Sequence, residues 1–362
     1  MGTIIVPFTE KVFGDHNYEV LTSSRNGIQR QSEHFAGKQR HDTDGYNIIP
    51  RGYCTYRNRS DDGLFTFNMN NIVDEGIVSK FYPVFTFQNA NSTFMMEYLN
   101  GSPRVRAKLS VLAVGTSQVV LSFETLKETS FYLPTFEEQN RIAALLSTLN
   151  ERIEKQRLLI EHLKKYKRGV LKAILEQRLR FKRSNGENYP QWESYTISEI
   201  TDCLDRRRVP ITSNERIRGA YPYYGANGIQ DYVADYIFDG EFVLLAEDGG
   251  HFNDFATEPI AQYVSGKIWV NNHAHILQAK CNTHFLFYAL VHKDIRNYIN
   301  NPSRGKLNQE DMQGIVIDVP CKEEQERIVD FMLKIDQNIE AKLNTLNQLV
   351  DFKKGLLQQL FI

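Results

Sequence analysis

His273-x-His275 sets two imidazoles at a spacing that metal sites use, but no third ligand is placed beside them by spacing. In a strand-like run the pair reads as packing or surface. The paired acids Asp61-Asp62 and Glu247-Asp248 sit among turn-type residues and read as turn formers rather than nuclease carboxylates. Methyl transfer to a flipped base would call for a carboxamide or acid followed by Pro-Pro-aromatic. Asn301-Pro302-Ser303-Arg304 is the nearest string, and it does not fit. No glycine-rich loop after a strand offers itself to S-adenosylmethionine, and no G-x-x-x-x-G-K-[ST] string offers itself to ATP. The four cysteines, Cys54, Cys203, Cys281 and Cys321, are scattered without a C-x-x-C pair. That argues for reduced thiols and against a disulfide framework or structural zinc. The expectation is a binding protein with no metal and no cofactor of its own.

The elements that would carry binding side chains are organised by an internal repeat. Pro134-Thr-Phe-Glu137-Glu138-Gln139-Asn-Arg141-Ile142 returns without a gap as Pro320-Cys-Lys-Glu323-Glu324-Gln325-Glu-Arg327-Ile328, and the register holds to Lys167-x-Gly169-x-Leu171 against Lys353-x-Gly355-x-Leu357. Such a repeat means two halves, each a variable block followed by a helix. In the first copy Ile142, Leu146, Leu149, Ile153, Ile160 and Leu163 recur in alternating steps of four and three, continuing to Val170 and Ile174. In the second the seam is Ile328, Met332, Ile335, Ile339, Leu346 and Leu349. These are a/d heptad positions. Polar residues interrupt both seams at the same places, Gln156 and Lys167 against Lys342 and Lys353. Thr135-x-x-Glu138 after Pro134 reads as a capping box. Forty helical residues would span roughly 60 Å. Each helix has one apolar stripe, and the simplest partner is the other helix. The spacing therefore predicts an intramolecular antiparallel coiled coil acting as a rigid spacer, with pseudo-twofold form.

The blocks, residues 1–133 and 186–319, are rich in aromatics, β-branched residues, glycine and asparagine. Runs such as Tyr236–Ala246, broken by Ala226-Asn-Gly228 and Asp248-Gly-Gly250, predict mixed α/β (α+β) domains with exposed loops. Ser117 falls on Ser303, Leu121 on Leu307 and Glu124 on Glu310, but Gln118 falls on Arg304 and Val120 on Lys306. The scaffold is shared while loop-borne polar side chains differ, as two readers of different sequences would require. The formal net charge is −1, so overall charge announces no nucleic acid. Residues 151–185, however, carry twelve Lys/Arg against four Asp/Glu. That stretch is either a solvated face or a footprint for DNA phosphates or an acidic partner. No apolar run reaches transmembrane length and the N-terminus shows no signal-peptide pattern, which predicts a cytoplasmic protein without a membrane partner.

The chain resembles the specificity (S) subunit of type I restriction–modification systems, over essentially its whole length. The resemblance is carried by Leu133-Pro134-x-x-Glu137-Glu138-Gln139 and Val319-Pro320-x-x-Glu323-Glu324-Gln325, each leading into a long helix. In the first block it is carried by Val20 through Ile28 and by Thr55 through Ser60. In the second it is carried by Tyr221 through Ile229, Phe242 through Gly250, and Ser303-x-x-Lys306-Leu307-Asn308. It implies that residues 1–133 and 186–319 are target-recognition domains, and that 134–185 and 320–362 are conserved-region helices. Each domain would read one half of a bipartite, asymmetric site in double-stranded DNA, with half-sites near one helical turn apart. The helices would set the gap and dock two methylation subunits, which would hold S-adenosylmethionine and methylate adenine. Restriction subunits would join for cleavage. The first block departs from the pattern: it lacks the aromatic lead-in that the second has at Pro190-Gln-Trp192, which implies an abbreviated N-terminal edge.

Within that resemblance, arginine or lysine suits guanine edges and asparagine or glutamine suits adenine, while phosphate contacts only position the protein. The expected readers in the first block are Arg57, Asn58 and Arg59, followed by Ser23, Arg25 and Gln118. In the second they are Arg206, Arg207, Arg208, Tyr223, Tyr224, Asn227, Arg304 and Lys306. Two readings of other classes stand beside this one. The first is a coiled-coil adaptor whose blocks bind protein, which a gel shift with random duplex in graded salt separates from a DNA reader. The second is an enzyme with an unrecognised site, which an activity screen with S-adenosylmethionine tests.

Overall fold

The computed structural model describes residues 1–34, 42–116, 118–300 and 305–361. Ser117, Ser303 and Arg304 lie outside the described residues. The chain divides into two compact units, Met1–Leu159 with Lys342–Ile362, and Ile160–Ala341.

The first unit opens with β1 (Ile5–Phe8), β2 (Glu19–Ser24), β3 (Gly27–Arg30), the short α1 (Gln31–His34), β4 (Asn47–Pro50), β5 (Cys54–Tyr56) and β6 (Arg59–Ser60). It continues through β7 (Phe67–Met69), β8 (Glu75–Val78), β9 (Val84–Phe87), α2 (Ser92–Gly101), α3 (Pro103–Leu112), β10 (Val119–Val120) and α4 (Phe123–Glu128). Two four-stranded sheets form, in the orders β1-β9-β5-β7 and β3-β2-β8-β4. Tyr56, Phe67, Phe85 and Phe94 are almost completely buried between the first sheet and α2. Each such aromatic contributes about 1.5–3 kcal/mol of burial. In the first residues β1 pairs antiparallel with β9, and the Met1 amino group donates to the Thr129 carbonyl at 2.6 Å.

The second unit contains β11 (Glu193–Thr196), α6 (Ile197–Ile200), β12 (Thr201–Cys203), a 3₁₀ turn (Asp205–Arg207), β13 (Arg218–Gly225) and β14 (Gly228–Val233). These are followed by β15 (Phe238–Ala246), β16 (Ala261–Val270), β17 (Ala274–Ala279), α7 (Thr283–Leu290), α8 (Gln309–Gln313) and β18 (Val316–Val319). Its main sheet runs β12-β17-β15-β16-β13-β14. The β15 sequence explains its central place: Phe242–Ala246 is an unbroken apolar run buried on both faces, which a strand flanked on both sides requires. The Trp192 lead-in is seated, its indole donating to Glu324 at 3.0 Å.

Two long helices complete the chain, α5 (Phe136–Leu175) and α9 (Lys322–Leu360). α5 ends at Leu175, and two residues on Gln177 takes a left-handed conformation (φ 55°) at a position glycine usually fills. Every seam position is buried or half-buried, whereas Leu145, Leu158, Leu159, Leu343, Val350 and Phe352 off the seam are exposed. Within the first unit, Gln156 donates to the Lys342 carbonyl at 2.8 Å, and Asn150 and Lys353 share Glu97. Within the second, Lys167 pairs with Asp336 and Arg180 with Glu324. In each unit rising numbers on one helix meet falling numbers on the other, so the pairing is antiparallel. The helices also pack on the blocks: Ala143, Leu146 and Leu357 join the first unit's core and Leu171, Ile174, Ile328 and Met332 the second's. Apolar area at both helix ends is better covered by a sheet domain than by one helix stripe.

The repeated Pro-x-x-Glu-Glu-Gln string has a concrete structural purpose. Gln325 donates to the Pro320 carbonyl at 2.9 Å and accepts from the Asn282 amide at 3.0 Å. Gln139 does the same with Pro134 and Asn91, at 2.9 and 3.0 Å. Asn282 and Asn91 are the N-caps of α7 and α2, and each side chain accepts from the third residue of its helix. In a capping box the N-cap amide is taken by a Glu or Gln three residues on. Here Phe285 and Phe94 hold those places, and a glutamine from a long helix supplies the missing acceptor.

Candidate nucleic-acid interface

In the first unit the expected readers converge. β2 and β3 form a hairpin whose two-residue loop is Arg25-Asn26, with Ser24 opposite Gly27, and Gly27, just after the loop, takes a positive φ (109°) that glycine adopts without strain. Arg25, Arg57 and Arg59 line one cleft of about 310 Å³, with Thr22, Ser24 and Ser60. Arg57 is exposed and makes no ion pair among the described residues. Arg59 is exposed over the Phe81 ring at 5.7 Å. Asp62 receives Arg25 at 2.7 Å, and Asp61 receives Gln118 at 2.8 Å. Hydrogen bonds from Ser60 and Arg25 and from the Leu64 amide hold the Asp62 carboxyl down to about 2. The Asp61-Asp62 pair is thus a turn, as its sequence implies, and also a latch on two candidate readers. Asn58 is half-buried, and its carbonyl accepts from the Leu121 amide. Ser23 lines the same cleft but is 5% exposed, its hydroxyl accepting from the Asn68 amide at 2.7 Å, so it presents little surface and braces the hairpin.

In the second unit the candidates separate into outward and inward groups. Arg206 and Arg207 are exposed, Arg207 lying 5.0 Å from the Phe238 ring. Asn227 sits at the tip of the β13–β14 hairpin and donates to the Gly249 carbonyl at 2.9 Å. With Gly228, Gln230, Asp248 and His273 it lines a cleft of about 350 Å³. Lys306 is half-exposed and lies 3.4 Å from Glu247. Arg208 and Tyr223 are corrected. Tyr223 is 1% exposed, its hydroxyl near the Ile211 backbone and its ring 4.2 Å from the Arg216 guanidinium. Tyr224, the next residue of β13, faces the other way and is half-buried, as strand alternation dictates.

Arg208 lies inside a buried polar cluster that the sequence did not announce. Its guanidinium donates to Glu247 at 2.6 Å and to the Ala274 carbonyl at 2.9 Å, and stands 3.3 Å from Asp205. His275, 1% exposed, places Nδ1 2.5 Å from Asp205 and Nε2 2.9 Å from the Leu307 carbonyl. Burial would raise the Asp205 carboxyl, but the bonds from His275 and the Ile276 amide, with Arg208 nearby, outweigh it and hold the group below its ordinary range. Asp205, Glu247 and His275 could ligate a metal, since their ligand atoms lie within 4.8 Å of one another. The Arg208 guanidinium, against both carboxylates, already supplies the cation there. The cluster ties the 3₁₀ turn bearing Arg206 and Arg207 to the segment after β15 and to the Lys306 loop, so it fixes where those side chains stand. Asp205, Asn68 and Arg216 went unseen in the sequence, and His275 was read there only as packing or surface, because each meets its partner through the tertiary fold.

The two sheet units carry the same glutamine latch, and each presents its own polar side chains from a hairpin tip and short loops. The chain belongs to the type I restriction modification DNA specificity domain family, whose sequence model matches residues 14–162 and 189–350. A putative type I restriction enzyme specificity subunit of Haemophilus influenzae is 36% identical over 139 residues, 38% of this chain and 35% of that protein. A putative type I specificity subunit of Mycoplasma pneumoniae is 28% identical over 154 residues, 41% of this chain and 40% of that protein. These matches span less than half of either relative. The type I restriction–modification S subunit from M. genitalium shares the fold, with a TM-score of 0.62 at 18% identity over 100% of this chain and 94% of that one. A chain from a structure of type I system assembly and conformational transition gives 0.57 at 17% identity, over 98% and 95%. Among the described residues no helix is long and apolar enough to cross a membrane.

Proposed function

We propose that this chain is the sequence-reading subunit of a type I restriction–modification complex. Each unit reads one half of a bipartite, asymmetric site in double-stranded DNA, and the chain docks two methylation subunits that carry S-adenosylmethionine and methylate adenine. Restriction subunits join the full complex. The chain itself performs no catalysis. The observation that carries this reading is the family match in both halves, combined with hairpin tips that differ between them, Arg25 in one and Asn227 in the other. In the first unit Arg25, Arg57, Arg59 and Gln118 are the proposed base and phosphate contacts. In the second they are Arg206, Arg207, Asn227 and Lys306.

Chemically, a carboxylate-latched arginine is well suited to exchange partners. DNA phosphate or guanine O6/N7 replaces Asp62 at Arg25, with bidentate geometry available in either case. The aspartates also repel phosphate where no arginine intervenes, which disfavours indiscriminate binding. The test is a gel shift with the complex assembled from chain and methylation subunit. A specific duplex should bind at least a thousandfold tighter than random duplex at equal salt. Equal affinity for both, or transfer of labelled methyl groups by the chain alone, would contradict the reading.

A further inference from the structure

At the offset that carries Pro134 onto Pro320, Asp61-Asp62 falls on Glu247-Asp248. The two acid pairs are used alike. Asp61 holds Gln118 and Asp62 holds Arg25. Glu247 holds Lys306, and Asp248 holds His273, whose Nδ1 lies 2.5 Å from the carboxylate. Gln118, Arg25 and Lys306 are among the proposed DNA contacts. His273 alone has no assigned work.

Of the two imidazoles in His273-x-His275, His275 is spent in the buried cluster with Asp205. His273, just before β17, stands on the rim of the cleft of about 350 Å³, beside Asn227 and Gln230, with its side chain 46% exposed. An ion pair so open to water contributes about 0–1 kcal/mol, so stability does not account for Asp248. Its effect is to fix the ring. With Nδ1 bound, Nε2 lies on the far side and has no partner among the described residues. The backbone is held as firmly. Asn271, 3% exposed, accepts from the His273 amide at 2.8 Å and donates to Gln230 at 3.1 Å. Gln230 in turn lies against Gly225, where a Cβ would come within 2.2 Å of its Nε2. His273, Gln230 and Asn227 are thus each anchored through one polar atom, and each has a second polar atom left for a ligand. Side chains ordered in advance lose little entropy on binding.

We propose that His273 is a specificity-determining residue whose Nε2 bonds a base edge in the half-site bound by the second unit, with Asp248 as its positioning residue. This rests on the DNA-reading function proposed above. A phosphate contact needs only a cation within reach, which Lys306 supplies. A ring fixed at one nitrogen and flanked by two carboxamides matches the donor and acceptor pattern of base edges instead.

Sequencing of methylated adenines in cells expressing the unaltered chain with the methylation subunit supplies the site. Duplexes carrying that site, and each single base-pair change in the half assigned to residues 186–319, are then titrated with the complex at fixed salt. His273→Asn keeps a nitrogen near Nδ1 and removes Nε2. It should weaken the cognate duplex about tenfold and erase discrimination at one base pair, leaving the others as they were. His273→Gln returns a nitrogen near Nε2 and should recover part of both losses. Asp248→Ala should blunt discrimination at that same base pair, by less. Thermal midpoints should stay near that of the unaltered chain, because neither side chain is buried. Unchanged discrimination at every base pair in His273→Asn, or an equal loss on all duplexes, would overturn the assignment and leave the DNA-reading function standing. An unaltered complex indifferent to every base pair would overturn the proposed function and this residue's role together.

Discussion

Replacing Gln325 by alanine should cost far more than a change on a mostly charged helix face would suggest. The side chain is 6% exposed and makes two hydrogen bonds, at 2.9 and 3.0 Å, to groups with no other partner among the described residues. Truncation leaves the Pro320 carbonyl and the Asn282 amide unsatisfied in the interior. At about 1–3 kcal/mol for each orphaned group, the loss is about 2–6 kcal/mol, before any cavity term. For a unit of this size each kcal/mol moves the thermal midpoint by roughly 2–4 °C, so a fall of about 4–24 °C is expected. Gln139→Ala should reproduce this in the first unit, because its geometry with Pro134 and Asn91 is the same. Calorimetry gives the midpoints, and native-state hydrogen exchange locates the damage. Protection should fall first at the start of α7 in one variant and of α2 in the other. A cost under about 0.5 kcal/mol in either variant would refute the latch.

Arg208→Met should destabilise the second unit by about 3–5 kcal/mol, since it leaves Asp205 and Glu247 buried without their main cation; urea unfolding checks this. Arg57→Ala should leave the thermal midpoint within a degree or so and weaken DNA binding. A loss of about 1–3 kcal/mol confined to one base position identifies a base contact, whereas a uniform loss with a salt slope shallower by about one identifies a phosphate contact. The Asp62 carboxyl sits at about 2 rather than its usual 3.8. Its latch on Arg25 is therefore fully present above about pH 4 and is lost as pH falls from there through about 2; carboxyl chemical shifts followed over that range should report one low midpoint.

The features legible in the sequence are those written locally. The seam was readable because heptad spacing alone decides which residues of a helix turn inward. Asn227 was recognisable as a turn residue because Ala226-Asn-Gly228 is a turn signal, whereas Arg25 was picked by its residue type alone. The Arg206–Arg208 triplet was only partly readable for a geometric reason. A 3₁₀ turn advances 120° per residue, so three successive arginines cannot share a face, and composition does not say which turns inward. Tyr223 and Tyr224 pose the same problem at a period of two. The Asp205–Arg208–Glu247–His275 cluster is assembled by β12, β15 and β17 lying side by side, and no local pattern records that pairing. The role of Gln139 and Gln325 was hidden although the repeat displayed them, since their partners belong to distant N-caps.

The central claim is that two units read two half-sites independently. The direct measurement is sequencing of methylated adenines in cells expressing the methylation subunit with either the native chain or a chain whose residues 186–319 are replaced by the corresponding block of another family member. The account predicts a bipartite motif in which the exchange alters one half and leaves the other half unchanged. A change in both halves, or a motif that is not bipartite, would contradict it.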